Sequence, residues 1–187
     1  MSLTVKQRAE HLGTFRFVQV HLMETLAHWV PSTPEMEIKV LFGRHIWDLA
    51  QQADAIGQRT NELRAPLHFT VPPVESYLEV LRQVRSIEAT EERVAAFYDV
   101  MLRDLETRYR QYVDETDSLL DEPSCRVVRR ALGDLERMRA DREEALREWP
   151  NLRNGHSSKL KELARSASVE RTIVSPRVVA GAAREAV

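Results

Sequence analysis

Arg64-Ala65-Pro66-Leu67-His68-Phe69-Thr70-Val71-Pro72-Pro73-Val74 decides how the rest of this chain is read. Each proline lacks a backbone donor and pushes the residue before it out of the helical region, so the segment is an extended link. Immediately after it, Tyr77, Leu78, Leu81 and Val84 form a stripe that predicts a short helix over about 75–88. Link and short helix together make a crossover between two pairs of long helices.

Upstream, Leu12, Phe15, Val18, Leu22, Leu26 and Trp29 recur at steps of three and four and predict a helix over 5–30. Pro31 and Pro34 close it. Thr33 is placed to cap a second helix that accepts Pro34 at its first position, has Glu35 and Glu37 in its first turn and runs to about Leu63. Its face is Ile38, Leu41, Phe42, His45, Leu49, Gln52 and Ile56. So short a connection makes the two helices an antiparallel hairpin. Downstream, a third helix is expected over about 90–119 with Thr90 as its cap. A fourth is expected over about 123–148, opened by Pro123 and closed before Pro150, with Leu119–Glu122 as the turn between them. The sequence thus divides into a helical domain, 1–150, and a Ser/Ala/Val/Arg-rich tail, 151–187. The tail shows no sustained amphipathic face and is expected to be flexible or to dock on a protein partner, with a helical piece at 158–166.

Composition agrees with an all-α chain: 43% hydrophobic and 30% charged residues, with only 6 Gly among 187, suit helices and starve tight β-turns. A net charge of −2, from 27 basic and 29 acidic side chains, gives no field for a phosphate backbone, so nucleic acid is not an expected partner. The single cysteine, Cys125, excludes an internal disulfide and any multi-cysteine metal site, and points to the cytoplasm. No secretion signal opens the chain and no run of 18 apolar residues occurs, so no membrane contact is expected.

Two antiparallel hairpins joined by one long crossover resemble the ferritin-like superfamily, over roughly residues 5–148. The resemblance implies an up-down four-helix bundle. In the di-iron members it also implies one inward Glu from each of two helices and an inward Glu-x-x-His from each of the other two, with iron or manganese as cofactor. No Glu-x-x-His stands on any of the four helices. The nearest remnants are Asp48-Leu49-Ala50-Gln51 and Asp134-Leu135-Glu136-Arg137. At about 100° per residue, Asp48 and Asp134 sit at the margin of their apolar stripes, while Gln51 and Arg137 fall outside. Glu106 lies to one side of the third helix, and the polar group inside the first stripe is Gln19 rather than Glu24. The resemblance therefore points to a metal centre that has been lost or remodelled. The alternative is a non-haem, di-iron-type oxidase or oxygenase using His45 and Asp48 as ligands.

The inward polar side chains are Gln19, His45, Gln52, Tyr109 and Arg142, with Asp48 at the margin. Buried polar groups must be paired, so these are either a satisfied layer that fixes helix register or a ligand pocket centred on His45. A second His/carboxylate set, His21, Glu24 and His28, shares one face with Phe17 and would need another element over it to hold a metal. Tyr98, Tyr109 and Tyr112 are expected in the core, and Cys125 as a small buried residue. The runs around Glu91-Glu92-Arg93, Arg129-Arg130 and Arg139–Glu144 read as a solvated face. A small-ligand or protein-interaction role follows, with homodimerisation through a helix face near Trp29 and Trp47, or docking through the tail.

Overall fold

The computed structural model describes residues 3–155 and 157–175. Its helices are α1 (Val5–Trp29), α2 (Met36–Glu62), α3 (Glu75–Arg85), α4 (Thr90–Ala95), α5 (Leu102–Glu115), α6 (Glu122–Glu148) and α7 (Ser158–Val169). A π-helical segment, Ala96–Met101, joins α4 to α5, and 3-10 turns cover Val30–Ser32 and Pro150–Asn154. The chain is all-helical: among the described residues the only extended pairing is an isolated bridge between Pro73 and Val174. No helix there is long and apolar enough to cross a membrane.

Side-chain pairings give the helix directions. Along α1 and α2, Gln19 meets Gln52 across the hairpin. Phe15 packs edge-on against Tyr109 and Tyr112 of α5. Along α2 and α6, His45 reaches Asp141, Gln52 reaches Asp134 and Arg59 reaches Ser124, so rising numbers on one helix meet falling numbers on the other. Glu106 with Arg139, Arg142 with Asp99 and Tyr112 with Asp121 place α6 antiparallel to α5 and the π segment. The link runs back along α1, where Val71 N–H donates to the Gly13 carbonyl at 3.1 Å. A Cβ on Gly13 would press on the Phe69 ring at 3.0 Å, so the missing side chain lets the link lie this close.

Both turns differ from the sequence expectation. Thr33 does not cap α2. Its hydroxyl donates back to the Trp29 carbonyl at 2.9 Å, closing α1, and α2 begins at Met36 after Glu35. Thr90 is the first residue of α4 rather than its cap, and α5 stops at Glu115 because Thr116 is extended. Asp117 then accepts from the amides of Leu119 and Leu120, a turn built on a side chain.

Residues beyond 150, expected as a tail, lie on the helices as far as they are described. Ser157 caps α7 by accepting from the Leu160 amide. Leu152, Leu160, Leu163, Ala167 and Ile173 are buried in the same apolar core as α1–α6. They cover the flank of Val94–Tyr98, a run whose five residues are all buried. Arg108 fastens this layer: its guanidinium donates to the Ala167 and Glu170 carbonyls at 2.7 and 3.3 Å, pairs with Asp104 at 2.8 Å and lies over the Tyr77 ring. The remaining part of the expected tail, 176–187, lies outside the described residues.

Candidate functional site: polar layers between the helices

The inward polar residues predicted from sequence do not converge on one centre. They form two separate layers. In the first, Gln19 on α1 donates through Nε2 to Gln52 Oε1 at 3.1 Å and to the Tyr109 hydroxyl at 2.7 Å. Gln52 Nε2 continues to Asp134 Oδ2 at 3.4 Å. Asp134 and Asp48 are both held by Arg137, at 2.8 and 2.9 Å. Burial pushes the Tyr109 phenol well above its ordinary value, against the hydrogen bond from Gln19, so it stays protonated.

The second layer centres on His45, which is fully buried. Its Nδ1 lies 2.7 Å from the Tyr98 hydroxyl and its Nε2 3.4 Å from Asp141 Oδ2. A carboxylate only accepts, so Nε2 carries the proton and Nδ1 accepts from Tyr98. Burial lowers the His45 pKa, opposed by the hydrogen bond to Asp141 and the charges of Asp48 and Asp141, and the ring is neutral at pH 7. Arg142 is half-buried beside this layer, over the Tyr98 ring, with its ends on Asp99 at 2.7 Å and Glu143 at 2.8 Å. Tyr98 and Asp99 both lie in the π segment, whose wider turn presents them to α2 and α6 together. Three atoms in these layers, Gln19 Oε1, Asp48 Oδ2 and Arg142 Nε, are buried without a hydrogen-bond partner.

His45 and Asp48, the metal pair expected from their i,i+3 spacing, therefore face different partners. The imidazole has both nitrogens engaged, and the carboxylate is bridged by Arg137. Among the described residues no three His, Cys, Asp or Glu side chains are grouped to hold a metal ion. A cleft of about 200 Å³ opens between α2 and α6 where the first layer reaches the surface, lined by Gln52 and Asp134 with Gln51, Gln58 and Arg130.

Of His21, Glu24 and His28, only His21 is partly covered by another element. Helix α3 lies beside this part of α1: His21 is half-buried with its Nε2 lacking a hydrogen-bond partner, and Glu24 faces Arg85 at 3.8 Å, while Glu24 and His28 stay exposed. Burial lowers the His21 pKa. Trp29, expected at an association surface, is instead fully buried, donating Nε1–H to the Arg85 carbonyl at 3.1 Å. Cys125 is buried, and burial raises its thiol pKa, so the neighbouring helix start does not activate it.

Sequence reasoning missed three ionic anchors. Asp121, fully buried, accepts from Tyr112 at 2.8 Å and Ser124 at 2.6 Å, and pairs with Arg59 at 3.2 Å and Arg8 at 3.7 Å. It joins α1, α2, α5 and α6 at one end. Arg93, read as part of a solvated run, is buried at the other end, donating to the Ile87 and Trp29 carbonyls and to Thr33. Arg108 is the third. The only sequence signal for Asp121 was its place before Pro123 in a turn, which does not foretell burial.

No known protein family, curated protein or solved structure matches this chain.

Proposed function

We propose that the chain is a ferritin-like up-down helical bundle whose metal centre has been lost, and that it works as a protein-interaction module. The observation that carries this reading is Arg137. Its guanidinium spans Asp48 and Asp134, the two carboxylates at the positions that most resemble the family's ligand motifs. Arg137 lies half-exposed over the two less exposed acids, and its guanidinium supplies there the positive charge that a metal would otherwise bring to them. The helix directions and the crossover over 63–89 support the bundle half of the reading. Glu106, the acidic candidate on the third long helix, is similarly engaged by Arg139 and Arg110, which hold its carboxyl below the usual range against the desolvation that raises it.

An oxidase built on His45 and Asp48 would first have to release the imidazole from Tyr98 and Asp141 and the carboxylate from Arg137. The test is elemental analysis of protein purified without chelator. Iron, manganese and zinc are each expected below about 0.1 equivalents per chain, an order-of-magnitude threshold. Near-stoichiometric metal that is lost in Asp48→Asn would overturn the reading.

A further inference from the structure

Helix α2 carries an apolar stripe on the side away from the core. Met36, Val40 and Trp47 are 64%, 58% and 66% exposed, and Gly43, also exposed, completes the spacing of four, three and four that keeps them on one face. Nothing lies within 4 Å of where a Gly43 Cβ would stand, so the stripe has a notch at its centre. A small residue between larger apolar ones allows a second helix to approach closely.

We propose that this stripe docks on the same stripe of a second copy of the chain, with the two α2 helices antiparallel about a two-fold axis. This deepens the interaction reading above and rests on it. In the register that fits, Val40 enters the partner's notch at Gly43, and Trp47 lies over the partner's Met36. The charges beside the stripe are self-complementary in the same register. Glu37, Glu144 and Glu148 lie toward the end where α2 begins; near its middle the guanidinium groups of Arg44 and Arg137, 60% and 51% exposed, stand outward of the less exposed Asp141, Asp48 and Asp134 with which they pair. Antiparallel pairing sets each acidic end against the partner's basic middle, with Glu37 opposite Arg44 twice. A single-helix contact falls at the small end of specific interfaces, so the dimer is a weak one that forms with concentration.

Sedimentation velocity of the full chain up to about 100 µM tests this, a range that reveals weak association. The expected result is a monomer that converts to dimer with concentration. Trp47→Glu, at an exposed position, leaves only monomer with an unchanged far-UV spectrum. Glu37→Arg and Arg44→Glu each weaken the dimer by about tenfold, as expected for loss and reversal of interface charges, and the double reversal restores it. A wild type that stays monomeric throughout overturns the proposal, as does a dimer indifferent to Trp47→Glu or one that the double reversal fails to restore. Such a failure leaves the loss of the metal centre to its own test, the metal content.

Discussion

Asp121 and His45 show how single buried groups carry this fold. Asp121 has no exposed surface, and its carboxylate holds the charges of Arg8 and Arg59 in place. Removing one partner of such a group leaves its counter-charges uncompensated, so Asp121→Ala is expected to cost about 3–5 kcal/mol in chemical denaturation. A loss below about 1 kcal/mol would reduce it to the worth of a surface pair. His45 bears on pH. Burial lowers its pKa below the 6.5 of an open chain, and burial does the same to His11 and His21. Well above pH 6.5 these rings are neutral in both states and contribute no pH dependence. Below it the unfolded chain binds protons first, so folding stability drops as pH falls from 6.5 through the lowered native values. Urea midpoints are expected to fall between pH 7 and 5, with a shallower slope in His45→Gln. A midpoint that is flat or rises toward acid would contradict this.

At the scale of elements, the C-terminal layer is the piece whose role differs most from its sequence appearance. Arg108 takes the carbonyls at the end of α7, so Arg108→Met keeps the stem over Tyr77 but strands those acceptors. The expected cost is about 1–3 kcal/mol, with amide exchange accelerating in 158–169 more than in α1. Equal acceleration in both segments would show that α7 is not a separately held unit. Gly155 sits against the Glu91 carbonyl, where a Cβ would clash with backbone, and Gly155→Ala is expected to lower stability by about 1–3 kcal/mol. A change within about 0.5 kcal/mol would place it among ordinary surface substitutions. The long helices were legible because their apolar stripes keep one period, and the prolines at 66, 72 and 73 marked the link. The layer over 150–175 was less legible. Its Leu160, Leu163 and Ala167 make a short stripe diluted by Ser and Arg, and its partner surface, the unbroken apolar run Val94–Tyr98, lies sixty residues away in the chain. In the candidate site, periodicity found the inward residues Gln19, His45, Gln52 and Tyr109. It could not tell which would meet, because the π segment shifts Tyr98 and Asp99 out of straight helical phase. Arg137 was read as outside the stripe, which is true of its backbone position; its long side chain reaches back to Asp48.

For the whole molecule, we propose a ferritin-like arrangement of helices in which Arg137 spans Asp48 and Asp134 where a metal would sit, with the outer face of α2 left for association. In that picture the interior layers set register and the function lies outside. The most direct measurement is a titration of Mn²⁺ into metal-free protein, with the sharp paramagnetic resonance of the free ion as readout. The free-ion signal is expected to stay undiminished at protein concentrations of about 100 µM, for the wild type and for the exposed-face variant Trp47→Glu alike. Stoichiometric loss of that signal, abolished by Asp48→Asn and by His45→Gln, would contradict it and restore the interior as a metal centre.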